Sequence, residues 1–299
     1  MPENLDMNFQ LLLMIAALLA AGAVVIALAG VVPRRRDVSE LWRLYGTEFA
    51  IVGLVAVAAI DWRVLLAALL LFGARGQFEF RDLYGVALPR WFPAVDAIVA
   101  GAVVAGAWFW DRLWESAIVA MLIAGVAGYA FAVKGGRART AIIGVAGVLF
   151  PVLPIAFIGL VGRLPEGLAW LLFVFIIVET NDSFALLFGK LFGRHGILPR
   201  LSPGKTTEGA FGGLLCGAAV GMILAMQVFG LPAGQAAGCV GVVLAAGIVG
   251  DVFTSALKRS VGRKDFAPQH VLHGGALDIY DSVVVAAPFF YAYHSLVLR

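Results

Sequence analysis

The stretch LKRSVGRKDFAPQHVLHGGALDIYDS, residues 257–282, gathers lysines, arginines, aspartates, two histidines and a double glycine in a chain that is 62% hydrophobic. Immediately before and into it, Asp251, Thr254, Ser255 and Lys258 recur at i, i+3, i+4 and i+7. On a helix that spacing puts a carboxylate, two hydroxyls and an ammonium on one stripe. A carboxylate on a membrane helix is costly and marks function by default, the structural alternative for Asp251 being an interfacial salt bridge to a lysine. Asp278 and Asp281 are three apart and share a face if a helix starts there. Carboxylates so placed repel one another unless a cation lies beside them. Hard oxygen ligands with room for water and phosphate oxygens suit magnesium bound to a nucleotide. His273, ahead of Gly274 and Gly275, reads as a donor to phosphate or backbone, because magnesium seldom uses imidazole.

A second polar cluster lies upstream in NDSFALLFGKLFGRHGILPRLSPGKTTEGAFGG, residues 181–213. It carries Asn181 and Asp182, glycines 189, 193 and 196 around Lys190 and Arg194, and Lys205 against the start of the next helix. A lysine, flexible glycines and helix N-terminal amides make an anion site. The GKT tripeptide is not a Walker A motif, since that pattern needs a glycine where Pro199 stands.

The elements that must position these residues are membrane helices. A mean hydropathy of +0.95 and only 14% charged residues exclude an ordinary soluble domain. The expected fold is all-α, a polytopic integral membrane protein with about ten spans of bilayer length. They fall near 8–32, 48–60, 64–74, 92–110, 116–133, 139–162, 167–187, 208–230, 233–256 and 279–297. The second and third are short, parted only by Asp61, Trp62 and Arg63, and form either a hairpin or one bent element. The first, preceded by Glu3 and Asp6, reads as a retained anchor. Cys216 and Cys239 lie in apolar runs without CxxC spacing and read as small hydrophobes.

If all ten spans cross, every lysine and arginine except Arg63, Arg112, Arg163 and Arg299 falls on one side. The positive-inside rule makes that side cytoplasmic, and both polar clusters emerge there. Gly209, Gly213, Gly217 and Gly221 recur every fourth residue in the eighth span, a face for close helix packing within the chain, with a homodimer seam as its other use.

The segments SPGKTTEG and GDVFTSALKR, followed by Lys264 and Asp265 and then by HGGALD and Asp281, closely resemble the CDP-diacylglycerol synthase (phosphatidate cytidylyltransferase) family. Its signature of Ser-x-x-Lys-Arg, Lys-Asp and His-Gly-Gly-x-x-Asp with a further Asp is filled by Ser255, Lys258, Arg259, Lys264, Asp265, His273, Gly274, Gly275, Asp278 and Asp281. The likeness runs from Asn181 to the C-terminus, whereas the earlier part agrees only in hydropathy. It implies transfer of a cytidylyl group from CTP to phosphatidate, with release of pyrophosphate, in phospholipid biosynthesis. The implied machinery is a catalytic region at 166–299 behind N-terminal membrane helices at 1–165. Asp251, Asp278 and Asp281 would be metal ligands, with Lys258 and Lys264 as catalytic partners, for Mg2+ and a possible second cation. Asn181, Asp182, Ser202, Lys205, Ser255, Arg259, Asp265, His273, Gly274 and Gly275 would contact substrate. The implied setting is a bacterial inner membrane with the site facing the cytoplasm, CTP and a lipid phosphate as partners, and no nucleic acid.

The chain departs from the signature at Thr254, where an acidic residue is usual, at Ile279, where an arginine is usual, and at His270 and Val271. One negative and one positive charge are thereby lost, which points to an altered lipid-phosphate substrate or a lower activity as the alternative. An ion-coupled transporter using the same aspartates is the other.

Overall fold

The computed structural model describes residues 61–133, 136–198, 201–267 and 275–298, with Gly46, Gly53 and Val57 as isolated positions. Residues 8–32, most of 48–60, and His270, Val271, His273 and Gly274 lie outside the described residues. The helices are α1 (Trp62–Leu83), α2 (Pro93–Trp110), α3 (Leu113–Phe131), α4 (Arg137–Gly147), α5 (Leu153–Gly162), α6 (Gly167–Phe192), α7 (Thr207–Ile223), α8 (Ala233–Ser260) and α9 (Ala276–Tyr293). A short hairpin of β1 (Gly196–Leu198) and β2 (Ser202–Thr206) joins α6 to α7, pairing antiparallel with Gly196 opposite Thr206.

Among the described residues, seven helices are long and apolar enough to cross a membrane, the fourth to the tenth of the expected spans. The protein is an integral membrane protein of helical architecture. The sixth span is interrupted: Phe150 has extended backbone angles (φ −148°, ψ 120°) between α4 and α5, and Pro151 beside it has no N–H to continue the ladder. The third expected span, 64–74, proves to be part of the 22-residue α1. Asp61, extended and accepting the Arg63 N–H at 2.9 Å, caps its start. The helix then continues past the apolar run through Arg75, Gln77, Glu79 and Arg81, which the hydropathy pattern excluded. Protein neighbours take up these polar groups. Arg81 is bonded to Asp96 of α2 at 2.8 Å and Gln77 gives its amide to the Gly144 carbonyl at 3.1 Å.

Two buried clusters hold the helices. One is built from α1 to α5 and closed by Phe266, Leu277 and Val284, and the other unites α6, α8 and α9 around Phe173, Leu224, Val243 and Phe290. The glycine face of α7 packs within the chain. A Cβ at Gly209 would collide with the Ala185 carbonyl, and one at Gly213 with that of Asn181. One at Gly217 would stand 2.9 Å from Leu244. This approach brings α7 against the stretch of α6 that carries Asn181 and Asp182.

Candidate active site

The site forms between the C-terminal halves of α6 and α8 and the start of α9, beside the hairpin. Helix α8 runs unbroken to Ser260 with no proline inside it, its glycines offset by burial of the apolar face that includes Val240, Val243 and Leu244. Lys258 and Arg259 in its last turn favour the negative end of the dipole. The chain leaves through Gly262, whose φ of +71° a side chain would resist.

Asp278 anchors the next helix. One oxygen, Oδ2, accepts the backbone N–H of Gly275 at 2.7 Å and of Phe266 at 2.8 Å, so it caps α9 and ties the preceding loop to it. The other, Oδ1, faces the Lys258 ammonium at 2.9 Å, which also reaches Asp281 at 3.7 Å and lies over the Phe266 ring. Both sides of the Lys258–Asp278 pair are about nine-tenths buried, so either charge without the other would be strongly unfavourable.

Around this pair the remaining acids converge. Asp251 is paired with Lys205 from β2, and the Ser255 hydroxyl approaches it at 3.4 Å. Asp281 accepts the Thr254 hydroxyl at 2.8 Å and the Ser282 N–H at 2.8 Å. Asp182 accepts the Asn181 amide at 2.9 Å, and the Ser282 hydroxyl lies within reach of both Asp182 (3.3 Å) and Asp281 (3.4 Å). Asp182 feels the repulsion of Asp281 and the attraction of Lys205. Burial pushes the Lys205 ammonium below its ordinary pKa, against the pull of Asp182 and Asp281. Four aspartates are thus compensated by two half-buried or buried lysines, a centre of alternating charge at one end of the bundle.

Several expected contacts have other partners. Gly275, expected to contact substrate, gives its N–H to Asp278, and the next two amides, of Ala276 and Leu277, go to Glu79 at 3.0 and 3.1 Å. Its lack of a side chain serves packing, since a Cβ there would collide with the Glu79 carboxylate. Arg259 gives Nε to the Leu201 carbonyl at 3.2 Å and Nη1 to that of Arg263 at 2.9 Å, bracing the hairpin against the end of α8. At the α7 N-terminus the Thr206 hydroxyl already accepts the Gly209 N–H at 3.1 Å. Lys264 is exposed, and Asp265 and Ser202 are partly buried.

A magnesium site can be tested against these donors. Among the described residues no three acidic, imidazole or thiolate groups form a metal site unaided. Magnesium does not need such a cage: it is usually held by one or two carboxylates, with phosphate oxygens and water completing the octahedron. Any one or two of Asp251, Asp281 and Oδ1 of Asp278 would fit that pattern, since each has an oxygen turned towards an ammonium that could pass to phosphate instead.

Sequence reasoning missed Glu79, on α1 nearly two hundred residues from the helix it caps. Its one visible signal is the i, i+4 spacing from Arg75 in the polar stretch that follows the apolar run.

Fold and site together define a polytopic membrane protein with a lysine-compensated carboxylate centre beside one end of its helices. The chain belongs to the cytidylyltransferase family, whose model matches residues 7–297. It is similar to the phosphatidate cytidylyltransferase of Staphylococcus epidermidis, 40% identical over 124 residues, which are 41% of this chain and 48% of the relative. That of Aquifex aeolicus is 37% identical over 140 residues, 46% of this chain and 52% of the relative. That of Staphylococcus aureus is 38% identical over 124 residues. The matched stretch of the chain spans about half the length of these curated relatives.

Proposed function

We infer that the protein transfers a cytidylyl group from CTP to phosphatidate, giving CDP-diacylglycerol and pyrophosphate in phospholipid biosynthesis. The observation that carries this reading is the convergence of Asp251, Asp278 and Asp281 with Lys205 and Lys258 in a chain of the cytidylyltransferase family. A phosphate oxygen of the lipid bonds to the α-phosphorus of CTP, the bond from that phosphorus to the bridging oxygen breaks, and pyrophosphate departs with the electron pair. The attacking oxygen is already anionic, so the protein must chiefly neutralise, orient and exclude water.

Lys205 and Lys258 exchange their carboxylate partners for phosphate oxygens, and Lys264, exposed at the loop, meets the incoming triphosphate. Asn181, Asp182, Ser202, Ser255 and Asp265 would contact the substrates, a role that the family signature extends to His273 and Gly274. Magnesium, with a possible second cation, would be held by Asp251, Asp281 and the Lys258-facing oxygen of Asp278. When bound it offsets the charge of the triphosphate and of the leaving pyrophosphate. Residues 166–299 form the catalytic region behind the membrane helices of 1–165. The site faces the cytoplasm of a bacterial inner membrane, where CTP arrives from solution and the lipid from the bilayer.

The relatives do not favour a second reading, a changed lipid-phosphate substrate, which rests only on Thr254, fully buried and bonded to Asp281 instead of supplying a charge. Family membership disfavours an ion-coupled carrier. The test is pyrophosphate release by purified protein in nanodiscs with magnesium, CTP and a panel of lipid phosphates. Phosphatidate is expected to give the highest rate, and Asp251→Asn and Asp281→Asn to lower it by about 100-fold or more. Preference for another lipid phosphate would select the second reading. Wild-type rates in both variants would contradict the site.

A further inference from the structure

Helix α1 reaches into the site from the part of the chain that carries none of the signature residues. Glu79 is 1% exposed, and its carboxylate accepts three hydrogen bonds. Oε1 takes Nε of Arg75 at 2.6 Å and the N–H of Ala276 at 3.0 Å, and Oε2 takes the N–H of Leu277 at 3.1 Å. With Gly275 giving its N–H to Asp278, the exit from the loop and the first turn of α9 are held by two carboxylates, one from within the helix and one from α1. Both benefit from the positive end of the helix dipole, and Arg75 and Lys258 compensate their charges.

The same face of α1 packs along α9. Phe72 meets the Tyr280 ring edge-on at 4.7 Å between centroids, and a Cβ on Gly76 would stand 3.2 Å from Leu277. Asp82, three residues past Glu79, binds Arg263 at 3.1 Å on the segment just after α8. Phe72, Glu79 and Asp82 therefore grip both the exit from α8 and the entry to α9, the two helices that carry the aspartates.

We propose that Glu79 is a positioning residue of this enzyme, fixing the first turn of α9 so that Asp278 and Asp281 face Lys258. The proposal rests on those aspartates being the catalytic centre. A glutamine at 79 keeps the shape but replaces one acceptor oxygen with an N–H donor, directed at a backbone N–H. The start of α9 then loses one of its anchors, while the apolar packing of α1 is unchanged.

The test compares wild type, Glu79→Gln and Gly275→Ala in nanodiscs by two measurements. Gly275→Ala presses on the same contact from the other side and serves if Glu79→Gln does not fold. The first measurement is amide hydrogen exchange without metal: the peptide covering 275–284 should exchange about 10-fold faster or more in either variant, with α8 unchanged. The second is the magnesium concentration giving half-maximal CTP turnover, expected to rise about 5-fold or more. A merely structural role would lower the amount of active protein without moving that concentration. Wild-type exchange at 275–284, or a drop in turnover with unchanged magnesium dependence, overturns the proposal. If wild type itself turns over no CTP, the functional reading fails, and the exchange measurement alone decides whether Glu79 holds α9.

Discussion

Replacing Asp278 by asparagine separates two roles that its two oxygens hold in this structure. The amide oxygen can still accept the Gly275 and Phe266 N–H groups, but the amide nitrogen then faces the Lys258 ammonium, donor against donor. Asp278→Asn should therefore cost about 3–5 kcal/mol of stability, read as a lower melting temperature in detergent, and abolish turnover. Adding Lys258→Met should recover part of the melting temperature and none of the turnover. Recovery of both would make the pair structural only. Thr254 gives a second residue-level prediction. A glutamate in this fully buried position sets another carboxylate against Asp281. Thr254→Glu should lower turnover by about 10-fold or more through like-charge repulsion, whereas Thr254→Ser, which keeps the hydroxyl, should remain near wild type. A gain of activity in Thr254→Glu would mean that the threonine is a defect and not an adapted part of the site.

The helix contacts make predictions of their own. Gly213 touches the backbone of α6 at Asn181 and Ala185, so Gly213→Ala should destabilise by about 1–3 kcal/mol and displace Asn181 and Asp182. Gly241 on α8 has open space where a Cβ would be, and Gly241→Ala should be neutral or stabilising by up to about 1 kcal/mol. Thermal unfolding of both variants in one detergent checks the contrast, and equal effects would refute the close α6–α7 contact. These elements also indicate what the sequence makes visible. Long apolar runs bounded by charges delimit most spans to within a few residues, and four-residue glycine spacing marks a close helix face. Hydropathy failed at α1, because Arg75, Gln77, Glu79 and Arg81 end an apolar run without ending the helix; their partners on α2, α4 and α9 cannot be read from local pattern. The hairpin of β1 and β2 was missed for a related reason, its strands being only 3 and 5 residues long in a glycine-rich stretch that reads as loop. Acidic and basic residue types announced the site, but which oxygen caps a helix and which faces a lysine depends on contacts across the fold.

For the molecule as a whole, the charge asymmetry and the site's place at one end of the bundle lead to a prediction of sidedness. Lys264 is exposed beside the site, and Arg112 is exposed at the turn between α2 and α3. Cysteines placed there singly should react with a membrane-impermeant maleimide from opposite sides, Lys264→Cys in inverted vesicles and Arg112→Cys in right-side-out ones. Reaction from the same side would break the alternation on which a cytoplasmic site depends. The central claim concerns transfer, which pyrophosphate release alone does not distinguish from hydrolysis of CTP. The most direct measurement is incubation of the nanodisc-embedded protein with magnesium, phosphatidate and CTP labelled at the α-phosphorus, followed by separation of lipid from water. Label is expected in a CDP-lipid, with one pyrophosphate for each label transferred, and neither with Asp251→Asn. Label that stays in water-soluble CMP or CTP with every lipid phosphate supplied would contradict that claim.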